Sequence, residues 1–297
     1  VWYNSTSNSL KALSFSTGTW ATSGNLNTAR RFPGGAGTQE AALGFGGGPP
    51  GTAVTELYNG SNWTEVNDLN LARYWPGSCG TSTAALAFGG GVPPSSPPLT
   101  RVETETWNGT NWTEVNDLST ARYGLGNAGT TTAALAFGGN TPPATAATEL
   151  WNGTNWTEVN DLNTARYGPG GAKSGTSTAT LAFGGSGPTG ATELWNGTNW
   201  TEVNDMNVAR GEAAGAGTQT AALCMMGNKY PALNDTESWN GTNWTIVANS
   251  NVGRYGPGGC GINTAALAFG GDEDPSPPSN ATEEFNAGPV TVTIGDS

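Results

Sequence analysis

One unit recurs along nearly the whole chain, and this repetition limits the possible folds more than any other property of the sequence. Its clearest copy spans 148–185 and reads TELWNGTNWTEVNDLNTARYGPGGAKSGTSTATLAFGG. Arg30, Arg73, Arg122, Arg166, Arg210 and Arg254 mark one position of the unit, at spacings of 43, 49, 44, 44 and 44 residues. Repeats of about 40 to 50 residues made of short alternating segments and double glycines indicate propeller blades, whereas helical repeats of that length need a sustained 3.6-residue period. No such period runs through this chain.

Each unit reads as four strands. Strand a follows the Arg and is rich in Gly, which suits crowding around a central axis. Strand b is the apolar TAALAF, closed by a Gly pair at Gly89-Gly90, Gly138-Gly139, Gly184-Gly185 and Gly270-Gly271. Strand c is TELW or a variant and strand d is NWTEV. Between them Asn59-Gly60, Asn108-Gly109, Asn152-Gly153, Asn196-Gly197 and Asn240-Gly241 supply the positive φ of a hairpin turn. A two-residue turn and a four-residue loop pairing Trp151 with Trp156 both satisfy the pattern.

Apolar residues before a double Gly, then an aromatic, then a Trp, repeated over five or six units, resemble the kelch repeat. The resemblance covers nearly all 297 residues, and it implies an all-β propeller of four-stranded blades. The aromatic and the Trp stand five positions apart, as in Tyr58 and Trp63 or Trp107 and Trp112, closer than is usual for kelch. The near-identical copies, rich in Asn, Thr and Gly, also resemble repetitive propeller proteins of marine bacteriophage virions. That likeness implies a fibre or surface appendage, at a virion or extracellular surface.

We read residues 1–297 as a single propeller domain with partial units at both ends. Six a-b pairs are present. Phe15 and Trp20 fit the c and d aromatic positions near the start, and Phe285 and Val290 fit them near the end, so seven blades are expected, with six as the alternative. The first of seven would take 1–4 as b, 10–15 as c and 19–23 as d. The chain starts at Val1 rather than Met, as a processed chain or one piece of a longer one would.

Composition narrows the function. A net charge of -12 repels phosphate backbones and anionic membranes, so nucleic acid is not an expected partner. No apolar run reaches the roughly 18 residues of a membrane span. The absence of His removes the commonest general base and metal ligand, and we expect neither enzymatic activity nor a cofactor or metal. Cys79, Cys224 and Cys260 form no close-spaced pattern; Cys79 and Cys260 each fall six residues after a repeat Arg and read as small buried residues. Asn-Gly-Thr and Asn-Trp-Thr triplets, as at Asn152 and Asn155, match glycosylation acceptors, but their place in the turn already explains them.

The repeated Arg residues suggest either a ring gripping an anion or structural pairs with acids that also repeat, such as Glu149, Glu158 and Asp161 around Arg166. A charge recurring in every blade favours the structural role, here assigned to Arg73, Arg122, Arg166, Arg210 and Arg254. Trp63, Trp112, Trp156, Trp200 and Trp244 are likewise read as packing between blades rather than stacking on sugars.

What varies between units is the b-c loop: 48–53, 91–102, 140–147, 186–191, 228–235 and 272–281. Strands alternate in direction, so b-c loops and d-a connections share one face of the propeller, and variation on that face suits recognition. Candidate binding residues there are Arg101, Lys229 and Tyr230, and the acidic run Asp272, Glu273 and Asp274. The expected function is a non-enzymatic virion fibre or surface-appendage module, within a larger assembly, contacting other virion or surface proteins and a host-surface glycan or protein. The alternative is a secreted carbohydrate-binding propeller. Far-ultraviolet circular dichroism should show less than about 15% helix, well under the globular average; a larger helical signal would overturn the reading of every unit as strands.

Overall fold

The computed structural model describes the whole chain except residues 1, 5, 7, 8, 16, 49, 50, 93–98, 230, 275, 276 and 295–297. It forms a ring of six four-stranded antiparallel sheets. Taken in order a, b, c, d, blade 1 is Gly34–Gly37, Ala42–Phe45, Thr55–Tyr58 and Trp63–Val66. Blade 2 is Gly77–Gly80, Ala85–Phe88, Thr104–Trp107 and Trp112–Val115, and blade 3 is Gly126–Gly129, Ala134–Phe137, Thr148–Trp151 and Trp156–Val159. Blade 4 is Gly170–Gly171, Thr180–Phe183, Thr192–Trp195 and Trp200–Val203, and blade 5 is Ala214–Thr218, Ala221–Asn228, Ala232–Trp239 and Trp244–Ile246. Blade 6 takes Gly258–Ile262, Ala265–Phe269 and Thr282–Asn286 from the end of the chain and Thr19–Ser23 from its beginning.

That last pairing corrects the expectation of seven blades. Trp20 stands opposite Phe285, so the two terminal fragments that each resembled a hairpin supply one strand apiece to a single blade. The remaining terminal strands, Trp2–Asn4, Ser9–Phe15 and Pro289–Ile294, form a separate three-stranded sheet. It continues the c and d strands of blade 6 at the place where the other blades have a c-d turn. Among the described residues, no helix is long and apolar enough to cross a membrane.

The c-d connections are four-residue loops, since Trp107 pairs with Trp112 and Trp151 with Trp156. The Asn opening each loop folds it locally: Asn108 Oδ1 accepts from the N–H groups of Thr110 (2.9 Å) and Asn111 (2.8 Å). In blade 5, strands b and c pair out to Asn228 opposite Ala232, so the expected 228–235 loop is mostly strand.

Neighbouring blades are joined by one packing unit used repeatedly. The strand-d Trp enters the gap toward the preceding blade, where Trp156 lies 4.8 Å from Phe88 between ring centroids and donates to Thr104 Oγ1 at 3.1 Å. Trp63, Trp112, Trp200 and Trp244 do the same against Phe269, Phe45, Phe137 and Phe183. All five are buried, and truncating such a side chain to Ala typically costs about 3–5 kcal/mol.

The second unit is ionic. In every blade the repeat Arg, on the connection entering from the preceding blade, pairs with the Glu of strand c: Arg30–Glu56, Arg73–Glu105, Arg122–Glu149, Arg166–Glu193, Arg210–Glu237 and Arg254–Glu283. The partner of Arg166 is therefore Glu193; Glu149 belongs to Arg122, and Glu158 is exposed. Both partners are buried in each pair, and the carboxylates are fully bonded. Glu105 accepts from Arg73, from the Asn70 and Leu71 N–H groups and from Asn70 Nδ2. The guanidinium also donates to the b-c corner, as from Arg73 to Gly89 O (3.1 Å) and Glu103 O (2.7 Å).

Arg122→Met should cost about 3–5 kcal/mol, because it leaves the Glu149 carboxylate buried without a counter-ion. The double variant Arg122→Met with Glu149→Gln should recover part of that loss, because the neutral amide oxygen can still accept from the backbone N–H groups of Ser119 and Thr120 that Glu149 holds. Urea denaturation of both variants checks it, and a single-variant loss below about 1 kcal/mol, the range of an exposed pair, would contradict the burial.

Candidate functional site

Strands a of adjacent blades touch all round the axis, including blade 6 against blade 1. The approach is close enough that a Cβ on Gly215 would lie 2.1 Å from Gly171 O. Just before strand a, the residue two after each repeat Arg forms a closed hydrogen-bonded ring. Its N–H donates to the carbonyl of the equivalent residue in the preceding blade: Trp75 to Phe32 (3.2 Å), Gly124 to Trp75 (3.1 Å), Gly168 to Gly124 (2.7 Å), Glu212 to Gly168 (2.9 Å), Gly256 to Glu212 (2.8 Å) and Phe32 to Gly256 (2.6 Å).

All six ring residues have positive φ, from 53° to 64°. Glycine takes this conformation freely, yet blades 1, 2 and 5 place Phe32, Trp75 and Glu212 there, at a strain of about 1–3 kcal/mol each. Their side chains use the room left by the three glycines. A Cβ on Gly168 would lie 2.9 Å from the Trp75 indole, and one on Gly256 would lie 2.5 Å from the Phe32 ring. Phe32 and Trp75 stack with centroids 4.0 Å apart and rings 29° from parallel, which closes the axis with an aromatic floor.

Above the floor, on the face of the b-c loops, the residues one after the repeat Arg make the wall: Arg31, Tyr74, Tyr123, Tyr167 and Tyr255. The basin so formed holds about 380 Å³ and is completed by Glu212, Asn228 and Asp274. Tyr123 and Tyr167 each lie 6.0 Å from Trp75, and Tyr74 lies 5.2 Å from Phe32.

Polar groups fix the rim. Arg31 Nη1 donates to Asp272 Oδ2 (2.7 Å) and to Tyr255 Oη (3.1 Å), and Tyr255 itself donates to Asp272 (3.1 Å). Asn140 Nδ2 donates to Tyr123 Oη at 2.9 Å. Burial pushes the Tyr74, Tyr123 and Tyr255 phenols up from their usual range. Burial also raises the Glu212 carboxyl, against the opposing effects of an Asn228 hydrogen bond and the Arg31 charge.

The residues singled out from sequence are placed unevenly. Asp272 is buried in the Arg31–Tyr255 cluster and Asp274 is exposed at the basin lip, with Glu273 half-buried beside it. Arg101 pairs with Glu103 (3.0 Å), away from the basin. Lys229 is exposed, and Tyr230 and 93–98 lie outside the described residues. Asn228 and Asp274 apart, the wall and floor residues Arg31, Phe32, Tyr74, Trp75, Tyr123, Tyr167, Glu212 and Tyr255 lie outside the b-c loops, where the variation between units is most visible. The signal stood directly after the Arg, where RYG in three units becomes RRF, RYW and RGE in the others.

No protein-family model matches this chain, and no curated protein matches it. Among solved structures it is similar to the one titled "Structure of YjhT", with 11% identity, a TM-score of 0.71, and coverage of 87% of this chain and 95% of that one. At that identity the likeness shows the fold alone, a β-propeller.

Glu212 binds its proton more tightly in the folded chain than in the unfolded one. Its contribution to stability is therefore full below the ordinary carboxylate value of 4.5 and is lost as pH rises through the higher folded value. Glu212→Gln should gain in melting temperature relative to the parent as pH climbs past that window. A difference between the two that does not change with pH would show Glu212 to be well solvated.

Proposed function

We propose that the chain is a non-enzymatic recognition propeller, kelch-like in its repeat, that binds carbohydrate in the axial basin. The observation that carries this reading is the aromatic set at one blade position, Tyr74, Tyr123, Tyr167 and Tyr255, around the stacked Phe32 and Trp75. Such side chains offer flat apolar faces with a polar tip. A pyranose is built the same way, with C–H groups on its faces and hydroxyls at its edge. Arg31, Asp272, Glu212 and Asn228 stand where hydroxyls would be read, and a mostly aromatic wall with a few convergent polar groups is the usual make-up of a small-molecule site.

The reading as a virion fibre or surface-appendage module belongs to the same proposal. It rests on the unequal b-c loops around the basin, which would seat a partner in one orientation, and it places the chain in a larger surface assembly. The non-enzymatic part rests on donor chemistry. The chain has no His, the Asp272 carboxylate is already engaged by Arg31 and Tyr255, and no group of three or more His, Cys, Asp or Glu suited to a metal exists among the described residues.

Trp75→Gly supplies the test, since glycine is what blades 3, 4 and 6 carry at that ring position. On a printed array of mono- and oligosaccharides the parent should bind a defined subset. Trp75→Gly should bind that subset at least about tenfold more weakly, a loss of roughly 1.4 kcal/mol or more, while its melting temperature stays close to that of the parent. A silent array, or undiminished binding by Trp75→Gly, would remove the basin from consideration and leave Arg101 and Lys229 as protein-contact candidates.

A further inference from the structure

On the opposite face of the ring, among the a-b turns, lies a second cavity of about 340 Å³. Its wall is Gly, Ala, Ser, Thr and Cys except for one charged side chain, Lys173. The other five blades have glycine at this position, Gly37, Gly80, Gly129, Gly217 and Gly261, all with φ between 86° and 114°. In blade 4 the chain instead leaves strand a early. The Ser174 N–H donates to Gly217 O in blade 5 (2.9 Å) and its hydroxyl to Gly261 O in blade 6 (2.8 Å), so this segment reaches across the axis.

The Lys173 amine is thereby carried to blade 2, where Nζ lies 3.4 Å from Ser78 Oγ. That hydroxyl is already held by Gly35, accepting from its N–H (3.0 Å) and donating to its carbonyl (3.1 Å). The titratable groups facing the amine are the Cys79 thiol of blade 2 and the Cys260 thiol of blade 6, and no carboxylate pairs with it among the described residues. We propose that Lys173 is a nucleophilic amine that captures small aldehydes or ketones entering this cavity as a reversible imine.

The chemistry needs no oxidant or reductant. The neutral amine adds to the carbonyl carbon and forms a C–N bond. The resulting carbinolamine breaks its C–O bond, and the carbonyl oxygen departs as water with the two amine protons. Hydrolysis returns both partners. A lysine desolvated in an apolar pocket is an established route to such a nucleophile. Burial pulls this ammonium down to about 8 and pushes both flanking thiols up to about 12, so near neutral pH the amine, and not a thiolate, is the reactive group.

The chain has three lysines, Lys11, Lys173 and Lys229, so the adduct can be located by peptide mapping. The folded protein is treated with benzaldehyde and sodium cyanoborohydride across pH 6 to 11 and digested. Lys173 should carry the reduced adduct at least about tenfold faster than exposed Lys229, with a rate that rises through pH of about 8 rather than through the ordinary lysine range. Lys173→Met should lose only that adduct, with labelling of Lys229 unchanged. Benzaldehyde labelling led by Lys229, a Lys173 rate that rises only near pH 10, or no adduct at Lys173 would each overturn the proposal; these outcomes are read on the parent, so they stand even if Lys173→Met fails to fold.

Discussion

The ring is held by an ion pair that has no access to water. Each blade must fix the connection arriving from its predecessor, and that connection brings unpaired backbone N–H groups into a dry corner between sheets. The strand-c Glu answers this by accepting from two of those N–H groups while its charge is met by the repeat Arg. The Arg then donates from Nη1 to two carbonyls of the b-c corner. Burying two charges is costly, and the cost is offset only where nearly every lone pair and proton has a partner. Here the strand-c carboxylate is satisfied in that way, which explains why the same two residue types return at every blade.

With the blades fixed by these pairs and by the Trp–Phe contacts, the axis becomes the most constrained part of the molecule. Six backbone hydrogen bonds close on themselves there and impose a left-handed conformation on all six ring residues. A constraint met six times over can tolerate local violation. The three residues that are not glycine sit at strained φ without opening the ring, because each is held by its neighbours on both sides. Axial crowding also decides where large side chains can go: the space above Gly124, Gly168 and Gly256 is what Phe32 and Trp75 fill. The aromatic floor of the basin is thus a product of two adjacent bulky residues, Phe32 and Trp75, laid over the space that glycines leave elsewhere in the same ring.

Much of the fold was legible because its causes are local and repeated. Double glycines, Asn-Gly turns and paired aromatics report strand ends and hairpins without reference to the rest of the chain, and the four-stranded blade follows from them. The number of blades did not follow. Phe285 and Trp20 each carry the pattern of half a hairpin, but the fact that they pair with each other is a property of ring closure. Partner choice across the full length of the chain leaves no mark on either segment. Arg166 shows the same limit on a smaller scale: its sequence neighbours include three acids, yet the carboxylate that meets it is Glu193, brought in by the fold of the next blade.

The candidate site was obscured for a different reason. A reader of repeats takes the conserved positions as framework and the loops as variation, and the loops here do vary. Yet loops at the rim of a disc cannot all reach one ligand, whereas the residues entering strand a converge from six directions on a point. A single substitution per blade at that position changes a sixth of a shared surface, so a few departures from glycine build an asymmetric site without any insertion. The same argument holds on the other face of the ring, where one glycine replaced by Lys173 places a solitary amine in an otherwise uncharged cavity. In a closed ring of near-identical units, chemistry is therefore most economically placed on the axis, and a departure of one or two residues next to strand a outweighs a much longer insertion at the rim.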